Sequence, residues 1–279
     1  MCAKLSMCLC VKSRCYIYRM ICTLTIVRYP KYFGWAGFLS MAVFHFSLFL
    51  NKSISFYKLM GCGKNGTFDK TPDWRQWAIL MVNRQEALGK EAESKNQEPS
   101  NKQQELRTQN LEYKTQNSKL QTSNFLNTWF KLFNAEVLTI VLQPIEGHGT
   151  WDGKAVFGKL PKQTEYEGLI AVLTRATIRL SKLQYFWANV DAVASQMLAA
   201  KGFVTSFGIG EVPFIKQATF SIWDSKADMK NFAYNLHQHK DVIRKTHKED
   251  WYSEDMFTRF IPIACYGTIN GSNPLAGKL

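Results

Sequence analysis

Acidic side chains are almost missing from the N-terminal quarter of this chain. Residues 1–70 contain ten lysines and arginines but a single acid, Asp69, so most of the formal net charge of +13 lies at this end. A recognised nucleic-acid-binding motif is also missing, and the basic residues are interleaved with apolar runs. Basic and aromatic side chains together favour an anionic membrane surface over nucleic acid, with a simply solvated surface as the alternative. We therefore expect no nucleic-acid partner and expect peripheral membrane association.

Paired cysteine spacings are lacking as well. Five of the seven cysteines fall within the first 22 residues, and the total is odd. This distribution argues against a disulfide scaffold and favours a reducing compartment, so we expect a cytoplasmic protein. Residues 1–19 fit no fold pattern, whereas Met20 directly precedes a strand pattern. We expect residues 1–19 to be a non-native leader or a misassigned start.

Charged residues are absent from positions 32–50, a run of about 19 residues that reaches the length of a membrane span. The run contains His45, two serines and two glycines, and it lies where the fold needs an ordinary helix. We expect a buried helix, with a membrane span and monotopic attachment as alternatives.

One sequence pattern occurs twice. Residues 56–63 and 203–210 are apolar strand patterns that end in Gly-x-Gly, and each is followed by a further strand pattern, at 75–82 and 216–223. A repeated pattern of this kind indicates two related half-domains, with a ligand at the seam between them.

The first half, residues 20–143, is predicted to be most of a ferredoxin-like unit. Its strands are expected at 22–28, 53–60, 74–82 and 137–142, and its helix at 35–50. Residues 83–124 are polar and form an insert that displaces the second helix.

The second half, residues 169–279, follows a linker at 144–168 and is predicted to be a complete β-α-β-β-α-β unit. Its strands are expected at 169–178, 203–207, 215–223 and 256–263, and its helices at 182–200 and 226–240. Ser225, with Asp228 three residues later, resembles a capping box. The predicted fold class is α+β, with duplicated ferredoxin-like halves that form a dimeric-type α+β barrel and carry one functional site.

The motifs themselves are weak. Gly208-Ile209-Gly210 lacks the third glycine and the following helix of a dinucleotide site, so we interpret it as a turn, and Gly61-Cys62-Gly63 likewise. Between two glycines, Cys62 is open to close approach, and a reactive thiolate is a minor alternative. His45 is expected to be a core or seam histidine.

Two histidines near the C-terminal end are candidates for metal binding. His237 and His239 are two residues apart and cannot easily chelate one metal from a helix. A haem iron needs only one imidazole, so either residue is a candidate axial ligand, with a solvated helix end as the alternative.

Several longer strings of the sequence resemble a known protein family. They are Arg28-Tyr29-Pro30 and residues 56–68, 171–178, 208–211, 217–221 and 251–260, spread over 24–82 and 135–260. In these strings the chain resembles the spheroidene monooxygenase (carotenoid 2-ketolase) family.

The resemblance implies a haem-dependent monooxygenase on a dimeric-type barrel. Such an enzyme uses haem b, O2 and a ferredoxin-type electron donor, and it hydroxylates the C2 end of an acyclic carotenoid such as spheroidene twice to give a ketone. His239 lies five residues after Phe232-Ala233-Tyr234 and is the implied axial ligand, followed by His237 and then Cys62.

Arg175 and Arg259 are the expected partners of the haem propionates, because guanidinium pairs with carboxylate in a fork. The alternative is an ion pair with Glu211 or Glu254. Tyr57, Phe220 and Trp223 either line an apolar channel or pack the sheet, and packing is favoured.

Two rival functions remain open. One is a cofactor-free barrel oxygenase acting on a phenolic or polyketide-like substrate, and the other is a non-catalytic carrier of an apolar pigment or lipid. The sequence leaves the carotenoid, the redox partner and the oligomeric state undetermined.

Overall fold

The computed structural model describes residues 20–64, 71–83, 124–235 and 249–279. Within these ranges lie eight strands and four α-helices. The strands are β1 Cys22–Arg28, β2 Ile54–Gly63, β3 Pro72–Asn83, β4 Glu136–Gly149, β5 Ile170–Ile178, β6 Phe203–Val212, β7 Lys216–Trp223 and β8 Tyr252–Gly267. The helices are α1 Gly34–Leu50, α2 Asn124–Leu132, α3 Leu183–Leu198 and α4 Lys226–Asn235.

The predicted α+β class is confirmed. All eight strands pair antiparallel, in the order β1-β3-β2-β6-β7-β5-β8-β4, and β4 pairs again with β1 so that the sheet closes. The β4–β8 ladder is the longest, since it runs from Leu138 opposite Gly267 to Gly149 opposite Met256. Strand β4 therefore extends into the stretch expected to be a linker.

The repeated Gly-x-Gly motifs form a seam, and the expectation that they break the strands was wrong. Gly61 and Cys62 of β2 pair with Gly210 and Ile209 of β6, which joins the two halves on this side. A register shift between Gly61 and Cys62 absorbs the irregularity, so β2 continues to Gly63. The turn after β6 comes later, at Phe214, which has a positive φ of 66°.

The first half also has a second helix, contrary to the expectation that the polar insert displaces it. Helix α2 begins at Asn124, at the end of the insert, and buries Leu126 and Phe130. Both halves therefore have the element order β-α-β-β-α-β. In the second half, Asp228 N–H donates to Ser225 Oγ over 3.0 Å, as the predicted cap requires.

The interior of the barrel is filled with apolar side chains. All eight strands contribute, among them Leu24 of β1, Leu80 of β3 and Phe260 of β8. Trp151 and Phe157, from the loop after β4, pack into the same core. In the part of the chain that the structure describes, this interior is therefore a packed core.

Helix α1 covers the outer face of the first half, but only one of its sides is buried. Ala36, Phe44 and Leu48 pack on the sheet and on α2, whereas Phe46 and Phe49 are 72% and 78% exposed. The expectation of a buried helix therefore holds for one side only. His45 is also exposed, beside Tyr57, and is not a core histidine.

The contact between α1 and β3 depends on Gly37. A Cβ at this position would lie 2.5 Å from Trp77 Nε1 and 2.9 Å from Tyr29 Cδ2. We expect Gly37→Ala to lower the free energy of unfolding by about 1–3 kcal/mol through overpacking. Urea denaturation followed by circular dichroism measures this loss. Gly34→Ala is the matched control, since its Cβ would meet only Arg75 Cγ at 3.4 Å. Equal stability of the two variants would contradict the packing account.

Candidate functional site

Charged side chains form two clusters on opposite faces of the sheet. The mouth cluster closes one end of the barrel and consists of Lys58, Asp152, Arg175, Glu211, Lys216 and Glu254. The outer cluster lies between the sheet and α4 and consists of Glu146, Lys226 and Arg259. Side chains alternate between the two faces along a strand, and this places the two clusters on opposite faces. On β5, Arg175 is on the same face as Ala171 and Leu173, which point into the barrel interior. Arg259 of β8 is the register partner of Val172, which points outward.

Arg175 is the centre of the mouth cluster. Its side chain is only 1% exposed, and it pairs with Glu254, with Asp152 over 3.2 Å and with Glu211 over 3.5 Å. Lys58 also bridges Glu211 and Asp152, the latter at 2.5 Å. The ion-pair role that the sequence offered for Arg175 is therefore present with both Glu211 and Glu254.

The loop after β4 is fastened into this cluster. Trp151 Nε1 donates to Glu211 Oε1 over 2.7 Å, and the Arg175 guanidinium lies 5.4 Å from the centre of the indole ring. Thr150 Oγ1 and the Gly153 N–H both donate to Glu254 Oε1, over 2.7 and 2.8 Å. These contacts hold Trp151 as a plug over the packed interior.

The mouth cluster has no spare charge. Burial alone would raise the pKa of Glu254, but hydrogen bonds from Gly153, Thr150 and Arg175 outweigh it and hold that pKa at about 2. Burial also acts to raise the pKa of Asp152, and Lys216 and Lys58 overcome it and lower that pKa. Three cations face three carboxylates, so this cluster offers no free cation to an anionic ligand.

The outer cluster is differently balanced. Arg259 Nη1 donates to Glu146 Oε1 over 2.7 Å, and Lys226 Nζ lies 3.2 Å from Glu146 Oε2. Glu146 and Lys226 are fully buried. The Thr164 N–H donates to Glu146 Oε2 over 2.6 Å, and Lys226 also donates to the Thr164 carbonyl over 2.5 Å. Two cations thus share one carboxylate.

This imbalance leaves capacity to bind an anion. Burial acts to raise the pKa of Glu146, but Arg259, Lys226 and the Thr164 N–H outweigh it and lower the pKa, which keeps the carboxylate charged. Among the described residues, one formal positive charge remains in excess in this cluster. Arg259 Nε is buried there without a hydrogen-bond partner, as is Arg175 Nε in the mouth cluster, so the excess charge is what distinguishes the outer cluster. A buried donor of this kind favours an anionic partner.

Local sequence places the three outer residues together. Glu146 and Arg259 are register partners on β4 and β8, beside a bulge between Pro144 and Glu146. Lys226 is the first residue of α4, directly after the Ser225 cap. The sequence argument missed Glu146 and Lys226, although an acid in an otherwise apolar strand pattern is a signal that could have revealed Glu146.

An aromatic and a histidine continue the outer cluster along the same face. The Arg259 guanidinium lies 4.6 Å from the centre of the Phe257 ring, and the His148 ring stacks on that ring at 5.7 Å. His148 borders a cavity of about 30 Å³, which holds about one water molecule. Two stacked rings, Trp223 and Phe232, line the apolar part of this face under α4.

Of the three candidate iron ligands, the structure describes only Cys62. His237 and His239 lie outside the described residues. Cys62 is buried in the barrel core, and burial raises its pKa to about 12, so the expectation of an accessible thiol was wrong. In the described ranges, no three histidine, cysteine or acidic side chains converge as a metal site.

The aromatic candidates pack the sheet, as favoured. Phe220 lies in the barrel interior and Trp223 in the outer core. Tyr57 packs beside α1, and its hydroxyl donates to the His45 carbonyl over 3.3 Å.

Removing the central cation should destabilise the mouth. We expect Arg175→Met to lower the free energy of unfolding by about 3–5 kcal/mol, because it leaves buried carboxylates without their cation. Lys216→Met is the matched control, with an expected loss of about 0–1 kcal/mol, because Lys216 is partly exposed and contacts Asp152 alone in this cluster. Urea denaturation measures both, and similar losses would show that burial of Arg175 is not decisive.

The mouth should also respond to acid. The pKa of Glu254 falls from 4.5 to about 2 on folding, so its contribution to stability is complete above about pH 4.5 and is lost as the pH falls through 2. We expect Glu254→Gln to be less stable than the unaltered protein near neutral pH but to lose less stability below about pH 4.5. Urea midpoints measured across this range test the change in slope, and identical slopes would contradict it.

Comparison with known proteins gives the family. No family model matches the chain. Spheroidene monooxygenase from Rhodobacter capsulatus is 30% identical over 229 residues, which are 81% of this chain and 83% of that protein. The Cereibacter sphaeroides protein of the same name is 30% identical over 225 residues, or 80% of this chain and 60% of that protein. The Rubrivivax gelatinosus protein is 38% identical over 140 residues, or 50% of this chain and 52% of that protein.

Solved structures show the fold alone. An aldoxime dehydratase in complex with butyraldoxime is 7% identical with a TM-score of 0.54, covering 88% of this chain and 80% of its own. Another aldoxime dehydratase is 8% identical with a TM-score of 0.50, covering 88% and 82%. The sequence matches are more informative: with 30% identity over 83% of the Rhodobacter capsulatus protein, the chain belongs to the spheroidene monooxygenase family.

Proposed function

We propose that this chain is a haem-dependent monooxygenase that hydroxylates the C2 end of an acyclic carotenoid, such as spheroidene, and converts it to a ketone. The observation that carries the proposal is its match to three proteins named spheroidene monooxygenase. The chain spans 60% of the length of the Cereibacter sphaeroides relative, so activity, substrate and partners are all part of the proposal.

The proposed reaction proceeds in two oxidations. In each, one atom of O2 enters a C–H bond at C2, and the other leaves as water after taking two electrons and two protons. A ferredoxin-type donor supplies the electrons. The second hydroxylation gives a geminal diol, which loses water to form the ketone.

The outer cluster fits a haem carboxylate. Its excess positive charge suits a propionate, and Arg259 Nε has no hydrogen-bond partner among the described residues. Arg175 Nε is unpaired too, but three carboxylates already surround that guanidinium, so Arg259 fits a propionate better. Bound haem supplies an iron that activates O2, which is the chemistry that C–H hydroxylation requires.

His239 remains the proposed axial ligand, with His237 next. In the sequence, both follow Asn235, the last described residue of α4. Cys62 is a poor thiolate ligand, because its thiol is buried in the barrel core with a raised pKa. His148 is a further candidate, since it lies on the same sheet face as Arg259.

The chain's own side chains would position the polyene. Since the barrel interior is packed, the polyene is proposed to bind on the outer face of the second half beside Phe257, where Trp223 and Phe232 form the buried core beneath α4. Apolar aromatic walls exclude water from the reacting carbon and hold a long polyene through contact area. In this arrangement, charged side chains contact the haem carboxylate and apolar side chains contact the substrate.

The fold assignment that accompanies this function is a dimeric-type α+β barrel made of two duplicated ferredoxin-like halves. The shared element order of the halves supports it. So does the pairing of the two Gly-x-Gly motifs with each other. The proposed location is the cytoplasm, with peripheral attachment to a membrane.

Spectroscopy and product analysis test the proposal. We expect the purified full chain to retain haem, to show a Soret band that shifts with carbon monoxide after reduction, and to convert an acyclic carotenoid to its 2-ketone with O2 and reductant. His239→Ala should abolish or alter the band, whereas His148→Ala should leave it unchanged. Arg259→Met should lower haem retention several-fold, while Arg179→Met, at an exposed arginine paired with Asp250, should not.

The contrary outcomes are distinct. Failure to retain haem on reconstitution would overturn haem dependence, and carotenoid oxidation without haem would favour a cofactor-free oxygenase. Carotenoid binding without product would favour a carrier. A changed band in His148→Ala and not in His239→Ala would move the axial ligand to His148.

A further inference from the structure

Helix α1 has two apolar sides, of which the protein covers only one. The buried side contains Ala36, Phe44 and Leu48. The opposite side carries Trp35, Leu39, Phe46 and Phe49 at three-, four- and seven-residue intervals, so these side chains form a stripe along the helix. The stripe is exposed, since Trp35 is 57% and Phe49 is 78% accessible.

Neighbouring residues widen the stripe into a continuous surface. Exposed Trp74 of β3 lies beside Phe38, with ring centres 6.3 Å apart. We call the whole surface the α1 patch, and it consists of Tyr32, Trp35, Phe38, Leu39, Phe46, Phe49, Leu50 and Trp74. Eight exposed large apolar side chains on one side of the molecule are typical of a surface that contacts a membrane or another protein.

Sheet topology prevents α1 from crossing a membrane in this fold. Together with the short turn before it, the helix gives a segment, Lys31–Leu50, that is long and apolar enough to span one by length and composition. However, it connects β1 to β2, and both strands pair with β3. A crossing helix would separate β1 from β2 on opposite sides of the bilayer. In the folded protein, α1 can only lie along a membrane surface.

The chain segment that contains α1 has no acidic side chain, since residues 20–64 contain no aspartate or glutamate. Asp73, next to Trp74 on β3, is paired with Arg28 and Arg75. Exposed Lys31 precedes the helix and exposed Lys52 follows it, and in the described ranges neither forms a salt bridge. Lysines beside an apolar stripe with tryptophan and tyrosine are the side chains that meet anionic headgroups and the interfacial region.

The same charges disfavour a second copy as the occupant. Two copies joined by a twofold axis through α1 would set Lys31 and Lys52 against lysines of the partner helix. No acid within residues 20–64 could neutralise them. An anionic bilayer instead offers negative charge at both ends and a hydrocarbon region for the stripe.

We propose that the α1 patch docks on an anionic lipid bilayer, with α1 parallel to the surface and its exposed aromatic side chains inserted at the headgroup boundary. The geometry and charge of α1 carry this inference, which goes beyond the proposed reaction. It needs neither haem nor a carotenoid, so its test does not depend on activity.

Vesicle co-sedimentation of the full chain tests the docking surface. We expect binding to vesicles of mixed phosphatidylglycerol and phosphatidylcholine and much weaker binding to phosphatidylcholine alone. The double variant Phe46→Ser, Phe49→Ser should bind about tenfold or more weakly, because two large apolar side chains no longer leave water. Tyr185→Ser is the matched control at an exposed aromatic of α3, and its binding should be unchanged.

A second pair of substitutions tests the charges. Lys31→Gln and Lys52→Gln should each weaken binding to the anionic vesicles about fivefold, and added salt should reduce the difference. All these positions are exposed, so circular dichroism should show native folding in each variant.

Three results would overturn the inference. One is unchanged vesicle binding by the Phe46, Phe49 double variant, which would place any binding surface elsewhere. Another is equal binding to neutral and anionic vesicles. The third is a dimer in sedimentation velocity that the double variant abolishes, together with no vesicle binding, which would make the patch an interface between copies.

Discussion

The antiparallel ladder between β4 and β8 is the constraint on which the rest of the structure depends. It joins the end of the first half to the end of the second and, with the short β2–β6 pairing on the other side, closes the sheet. Its register sets Glu146 opposite Arg259 on the outer face. The loop after β4 places Trp151 in the mouth cluster. There the Thr150 hydroxyl and the Gly153 N–H donate hydrogen bonds to Glu254. A slip of one residue would exchange the faces and remove both charged clusters together.

Strand patterns and capping made most of the fold predictable from sequence. The β-branched pattern of residues 22–28 predicts β1 with the bounds that the structure has, and Ser225 predicts the start of α4. The two Gly-x-Gly motifs misled because glycine is typical of turns, whereas here both motifs lie inside strands that pair with each other across the seam. No local signal could show this, since the partner residue lies in the other half.

Only individual charged residues of the candidate site could be identified from the sequence. Arg175 and Arg259 lie within the sequence strings that resemble the family, but the ion-pair partners of each depend on which face of the sheet it occupies. Strand parity separates them: one faces three carboxylates at the barrel mouth and the other shares a single carboxylate with Lys226. Glu146 escaped notice because its importance comes from burial, which composition does not reveal. Similarly, an apolar run such as 32–50 cannot show that a helix buries only one of its two apolar sides.

The two halves share a topology but use their outer faces differently. Because the closed sheet buries one face of every strand, each half has only its helix-covered face left for function. In the first half, aromatic rings between α1 and α2 pack on that face. The outer side of α1 remains an exposed apolar surface. In the second half the covered face contains, among the described residues, an unbalanced positive charge beside aromatic side chains. Under the proposed function, the polyene partitions into lipid, and the haem carboxylates need a cationic partner next to an apolar wall. The first half would then supply access to the lipid and the second the reacting site, which fits two halves that share one element order but differ in their outer faces.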